Sequence, residues 1–219
     1  DFSCFGRYNA VFKDYLKRKN VKITFAPEDQ ELMENHFPDF VAMNFYTTVT
    51  VEKPTQKDGM ANGISDQQSE DIMEWGFYKG FTNPYLQKNE FNWTIDPDGL
   101  KTTLQTLYDR YHLPIIITEN GLGAKDELTE AGQVHDTYRI NYLQQHIEQC
   151  QQAIEAGVDL IGYSPWSAID LISVHEGISK RYGFIYVDRT EHDEKTLARH
   201  KKDSFYWYQS LIKTNQLPS

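Results

Sequence analysis

Residues 114–118 read Pro-Ile-Ile-Ile-Thr, an unbroken apolar run that ends in Glu119-Asn120-Gly121. A strand with no apolar–polar alternation is buried on both faces, the situation of a parallel sheet covered by helices. A second such run, Asp159–Ser164, follows a long helical pattern. That pattern extends from about Thr129 to Ala156, with Ile140, Leu143, Ile147, Cys150 and Ile154 recurring at steps of three and four and Gly157 as the stop. A third apolar run occupies Asp39–Thr47 and contains Asn44-Phe45-Tyr46. Apolar strands alternating with helices read as parallel α/β structure, whose chemistry lies at the carboxyl ends of the strands. Tyr46, Glu119 and Trp166 all fall at such ends, so one assignment puts three candidate residues on one rim.

The remaining segments are read around that frame. Val11, Phe12, Tyr15 and Leu16 share one face of a helix over Tyr8–Lys19, and Val21–Phe25 reads as a short strand. Pro27 starts a helix carrying Leu32 and Met33. Positions 52–90, rich in Lys, Gly, Asp, Gln and Asn, read as a long surface excursion. Asp96-Pro97 is a helix start, followed by Leu100, Leu104, Leu107 and Tyr111. No repeat or low-complexity tract interrupts the chain.

Composition narrows the partners. A net charge of −10 argues against nucleic acid and anionic membranes, both of which call for basic patches. No apolar run approaches the roughly 20 residues of a membrane span. The first residues lack a signal-peptide layout, so a cytoplasmic protein is expected. Cys4 and Cys150 show neither metal-ligand nor disulfide-framework spacing and are expected to be reduced, with no metal site.

The chemistry-bearing residues fall in two groups. Glu119 closes the strand at 115–118, where its carboxylate can face a sheet rim; the alternative is a carboxylate solvated in a tight turn. Ser173, Lys180 and Tyr182 gather a hydroxyl, an ammonium and a phenol just past the strand ending at Ser164. Those are donors suited to a phosphate. Their alternatives are a solvated basic pair at Lys180-Arg181 and a core aromatic at Tyr182.

Three ordered motifs resemble those of glycoside hydrolase family 1, retaining β-glycosidases on a (β/α)8 TIM barrel. Asn44-Phe45-Tyr46 resembles the family's Asn-Tyr-Tyr element, and Thr118-Glu119-Asn120-Gly121 matches its nucleophile motif. Trp166-Ser167 through Asp170, with Gly177, Arg181 and Gly183, follows the segment that grips the sugar. The resemblance implies Glu119 as nucleophile, Tyr46 as its hydrogen-bond donor, and Asn44 and Trp166 as substrate contacts. It implies no metal or organic cofactor.

Departures from the family pattern refine this reading. Ser173 and Val174 stand where ordinary members carry Glu-Trp, whose carboxylate chelates the sugar hydroxyls. A carboxylate there would repel a 6-phosphate, whereas a serine donates to it. Ser173, Lys180 and Tyr182 together resemble the 6-phospho-β-glucosidase branch. Val174 offers no donor to an axial 4-hydroxyl and favours glucose; a 6-phospho-β-galactosidase is the alternative. The expected substrate is a phosphorylated disaccharide or an aryl β-glucoside 6-phosphate.

Retaining chemistry uses two carboxyl groups about 5–5.5 Å apart, and the family's upstream Asn-Glu-Pro acid/base has no counterpart here. Asn89-Glu90 lacks the proline and falls between two later strands, and Glu176 reads as a loop carboxylate. About three of the eight barrel strands are recognisable, and a closed barrel of this fold takes about 250 residues. Residues 1–219 are therefore expected to be the C-terminal portion of one barrel domain, requiring an N-terminal half or self-association. A catalytically inactive half-barrel, or a sugar-phosphate binder, is the reading from another class.

Overall fold

The computed structural model describes residues 1–55, 63–64, 72–74, 76–174 and 176–218. The chain opens with helices α1 (Phe2–Phe5), α2 (Ala10–Arg18) and α3 (Pro27–Asn35), followed by strand β1 (Val41–Asn44). Short strands β2 (Val51–Glu52), β3 (Gly63–Ile64), β4 (Ile72–Glu74), β5 (Tyr78–Gly80), β6 (Gln87–Lys88) and β7 (Thr94–Ile95) come next. Helix α4 (Pro97–Tyr111), strand β8 (Ile115–Asn120), helix α5 (Thr137–Glu155) and strand β9 (Leu160–Pro165) form the α/β body. Strands β10 (Ile185–Val187) and β11 (Arg199–Lys201) pair antiparallel, and α6 (Asp203–Thr214) closes the chain.

The body is a parallel sheet in the order β1-β8-β9, with α4 and α5 packed together behind it. Leu100 and Leu104 of α4 and Ile115 and Ile117 of β8 are fully buried, with Phe45, Cys150, Ala153 and Val158 around them. Each such aliphatic side chain contributes about 1.5–3 kcal/mol by leaving water. Helix α4 starts where expected: the Asp96 side chain caps it by accepting the Gly99 N–H at 3.0 Å, and Pro97 occupies the first turn. Among the described residues, β1 and β9 each pair on one side only. The β9 side exposes Ile154, Ile161 and Ile212 by half or more.

Four expectations need correction. Val21–Phe25 forms no strand; among the described residues no strand offers it a hydrogen-bonding ladder, and Val21, Ile23 and Phe25 stay exposed. Positions 52–90 are not all loop: β2, β5, β4 and β3 make a small antiparallel sheet, and β6 pairs with β7. Residues 56–62, 65–71 and 75 of that stretch lie outside the described residues. The long helix begins at Thr137 rather than near Thr129, because Thr129 and Gly132 are spent on a turn closed by the Thr129 N–H to Gln133 O bond at 2.9 Å. Its buried face is Arg139, Tyr142, Leu143, His146, Cys150 and Ala153, rotated from the aliphatic stripe, so that Ile154 is exposed.

Candidate active site

The rim is built by register. Asn44 pairs with Glu119 and Asn120 with Pro165, while the Phe45 N–H donates to Glu119 O and the Trp166 N–H to Asn120 O, both at 2.8 Å. Strict alternation along β8 would turn Glu119 toward the helices, on the side of buried Ile115 and Ile117. It does not, because β8 carries an extra residue: three steps from Ile117 to Asn120 are matched by two on β9, from Tyr163 to Pro165. A bulge of this kind re-aims side chains. Thr118 and Glu119 consequently both lie off the buried face, and Asn120 takes the buried one.

Asn120 is fully buried and ties three strands to α5. Its Nδ2 donates to Phe45 O at 2.7 Å and to the Tyr142 hydroxyl at 3.0 Å, and its Oδ1 accepts from the Tyr163 hydroxyl at 2.6 Å. Tyr142 in turn donates to Tyr46 O at 3.0 Å. Gly121 completes the motif sterically: a Cβ there would sit 1.9 Å from Trp166 O, so any side chain would push the two strand ends apart.

The bulge aims Glu119 at Tyr46, whose hydroxyl donates to Glu119 Oε2. Burial, and then this bond, raise the Tyr46 phenol far above its ordinary pKa, so it remains the proton donor at any working pH. The Tyr46 ring meets Trp93 edge-on at 5.8 Å and Tyr182 at 6.3 Å between centroids. Lys180 follows, with its Nζ 3.5 Å from the Trp93 ring centroid and 5.9 Å from that of Tyr182. Glu119, Tyr46, Tyr182 and Lys180 thus form one continuous group.

Buried charges fix the segment that carries Lys180. Arg139 pairs with Asp126 and Asp136, Lys202 with Asp126 and Asp170, and Arg181 with Asp170. Three carboxylates meet three cations, so this network is balanced in charge. Burial disfavours the Asp126 carboxylate, but Arg139 and Lys202, aided by bonds from Lys202 and Tyr138, hold its pKa below the ordinary value. Arg139 also donates to Arg181 O at 2.9 Å, while Ala124 and Arg181 exchange backbone bonds at 3.0 and 2.9 Å. The chain after β8 is thereby locked to the chain after β9.

The other candidates lie as follows. Asn44 is exposed at the end of β1, and its Oδ1 accepts from the Thr118 hydroxyl at 2.6 Å. Trp166 directly follows β9 and is half-buried. Ser173 is on a turn, exchanging backbone bonds with Gly177 at 2.9 and 3.1 Å, and Val174 at its tip is 92% exposed. Lys180 and Arg181 are not a solvated pair; both are buried. Glu90 accepts the Lys125 N–H at 2.7 Å and Glu176 is exposed. Cys4 and Cys150 are free thiols, and burial pushes Cys150 up to about 12. Among the described residues, no helix is long and apolar enough to cross a membrane, and no group of three His, Cys, Asp or Glu could hold a metal.

Residue-pattern reading missed Trp93, Asn120's bridging role and the buried ion network. The Asp136/Arg139 spacing of three was a visible signal for part of that network. Lys202 offered none, because its partners are 76 and 32 residues away.

Comparison with known proteins agrees with this geometry. The description Glycosyl hydrolase family 1 matches residues 1–217. The chain is 44% identical to Aryl-phospho-beta-D-glucosidase BglC of Bacillus subtilis (strain 168), over 98% of this chain and 46% of that protein. It is 39% identical to 6-phospho-beta-glucosidase AscB of Escherichia coli (strain K12), over 98% of this chain and 43% of that protein. Among solved structures, the Family 1 b-glucosidase from Thermotoga maritima superposes with a TM-score of 0.78 at 31% identity, covering 98% of this chain and 42% of that one. The chain spans less than half the length of these relatives, and its three-stranded sheet is part of a (β/α)8 barrel. Motif order, rim geometry and a match over residues 1–217 lead to one conclusion: this chain belongs to glycosyl hydrolase family 1.

Proposed function

We propose that this chain is the C-terminal portion of a retaining 6-phospho-β-glucosidase and carries its nucleophile, Glu119. One observation supports this most: the carboxylate held by Tyr46 is joined through Tyr182 to the buried ammonium of Lys180. That arrangement suits a substrate with an electrophilic carbon at one end and an anion at the other. The printed names of the relatives, aryl-phospho-beta-D-glucosidase and 6-phospho-beta-glucosidase, point the same way.

In this reading Glu119 attacks the anomeric carbon, the bond to the aglycone oxygen breaks, and a carboxylic acid from the absent half protonates that oxygen. Water, deprotonated by the same group, then displaces Glu119 and releases glucose 6-phosphate with net retention. Tyr46 steadies the Glu119 carboxylate. Ser173, Lys180 and Tyr182 take the phosphate, and Asn44 and Trp166 contact the sugar. Val174 favours the gluco over the galacto configuration. A phosphate dianion does not cross membranes readily, which supports a cytoplasmic reaction.

The single-sided pairing of β1 and β9 and the apolar surface beside β9 support a need for the missing half or for self-association. The test joins this chain to the N-terminal portion of the Bacillus subtilis relative and assays p-nitrophenyl β-D-glucoside 6-phosphate. Turnover by the assembled protein, far above that of the isolated chain and of the galactoside 6-phosphate, is expected. General acid catalysis alone contributes about 10²–10⁴-fold. A folded assembly that binds glucose 6-phosphate without turnover would favour the binder reading. An isolated chain as active as the assembly would mean that a second carboxylate resides in these residues.

A further inference from the structure

We propose that Trp93, assisted by Phe91, is a positioning residue that sets the preference for a phosphorylated sugar by holding the Lys180 ammonium in place. This rests on the reading of Lys180 as a phosphate ligand and extends it to a residue on a different part of the chain.

Lys180 is 2% exposed. A lysine so enclosed has to find compensation for lost hydration of its charge. Aromatic rings wall it in: the centroid of Trp93 lies 3.5 Å from Nζ, that of Phe91 4.7 Å and that of Tyr182 5.9 Å. A cation over an indole face is attracted by the ring quadrupole, more strongly when water is excluded. The stem also runs against Gly123, where a Cβ would come within 2.8 Å of Lys180 Cγ and 2.9 Å of Cε. The flexible lysine is therefore confined along its length before any ligand arrives. Donors ordered in advance lose less freedom on binding, and this is the advantage Trp93 confers.

Trp93 is itself held firmly. Its backbone N–H donates to Asn89 Oδ1 at 3.0 Å, and its backbone carbonyl accepts from the Asn89 N–H at 2.9 Å. Next to it, Thr94 Oγ1 donates to Thr48 O at 2.6 Å, and the Thr47 hydroxyl donates to Thr94 O at 2.8 Å. The hairpin β6–β7 is thus fastened to the chain that leaves Tyr46. The indole, in edge contact with Tyr46 and face contact with Lys180, sets the spacing between the nucleophile's partner and the ammonium. A ligand with its anion at a fixed distance from its anomeric carbon is selected by such a spacer.

The experiment uses the assembled protein and compares kcat/KM for p-nitrophenyl β-D-glucoside with and without the 6-phosphate. Because Trp93 also touches Tyr46, the informative quantity is the ratio of the two, from which effects on Glu119 cancel. Trp93→Leu should lower that ratio about tenfold, mainly through KM of the phosphorylated substrate. Trp93→Phe, which keeps a ring and protects against a folding defect in the leucine variant, should lower it about threefold. Equal losses for both substrates in either variant would overturn the proposal and leave Trp93 a purely structural residue. Lys180→Ala separates the two layers. An unchanged ratio there sinks the phosphate reading itself, whereas a collapsed ratio together with a normal one in the Trp93 variants sinks only the role of Trp93.

Discussion

The Tyr46 hydroxyl donates to Glu119 Oε2 across the seam between β1 and β8, joining residues 73 positions apart. The bond depends on the extra residue in β8, because without that bulge the alternation of the strand would turn Glu119 to the helix side. It depends also on Asn120, which fixes the carbonyl of Phe45 and, through Tyr142, that of Tyr46. The aim of the carboxylate is therefore set by backbone geometry and held by one phenol.

Removing that phenol should be costly without unfolding the site. A hydrogen bond to a charged group contributes about 1.5–3 kcal/mol, so Tyr46→Phe should lower kcat/KM of the assembled protein roughly 10- to 100-fold. The ring contacts with Trp93 and Tyr182 survive the change, so the thermal midpoint should move little. Steady-state kinetics of the wild type and Tyr46→Phe decides it; wild-type kcat/KM in the variant would mean that the bond has no catalytic consequence.

Glu119 itself can be marked chemically. A 2-deoxy-2-fluoro-β-glucoside 6-phosphate with a leaving group that needs no protonation should form a stable ester on Glu119. Peptide mass spectrometry of the inactivated protein would locate it. Glu119→Gln, which keeps an acceptor for Tyr46, should abolish labelling and lower turnover by several orders of magnitude. An ester found on any other carboxylate removes Glu119 from the nucleophile's role.

The parallel frame was legible because β8 and β9 are apolar on both faces and the helices between them are periodic. Glu119 and Tyr46 were legible as strand-end residues, since rim placement follows from topology alone. The bulge was not: it appears only as a mismatch of step counts against two neighbouring strands. Nor was the buried face of α5, where Arg139, Tyr142 and His146 replace aliphatic side chains because each finds a partner inside. Charged residues read as solvated unless their partners are known, and those of Lys202 lie on two other loops. Trp93 was hidden for a related reason: the stretch before it looked like loop, so nothing directed attention to the ring beneath Lys180.

Buried His146 should make the protein acid-sensitive. Its Nδ1 contacts Tyr142 O at 2.7 Å, its Nε2 has no partner, and burial holds its pKa down to about 4 from an ordinary 6.5. The folded state keeps this ring neutral between those values while the unfolded chain takes up a proton, so stability falls as pH drops from about 6.5 to about 4 and is unaffected above. Between pH 7 and pH 5 the loss from this group is about 2 kcal/mol. Urea unfolding at both pH values should show a drop smaller by that amount in His146→Phe, which retains stacking on Tyr142. Identical drops in variant and wild type would refute the assignment.

The strongest stability effect is expected at Lys202, whose ammonium lies fully buried between Asp126 and Asp170. Lys202→Met removes one of three cations facing three carboxylates and leaves a buried charge uncompensated, at a cost of about 3–5 kcal/mol. The loss should rise with carboxylate ionisation. Asp126 has a pKa held below its ordinary value, so its favourable pairing is present at neutral pH and fades as pH falls through that depressed value. The destabilisation caused by Lys202→Met should therefore be large near pH 7 and shrink in strong acid. Pairing the change with Asp170→Asn restores charge balance and should recover part of the loss, because residues of one ion network do not act additively. Urea midpoints of the two single variants and the double variant measure this coupling. Strictly additive losses would show that Lys202 and Asp170 act independently and that the six-residue network is not a unit.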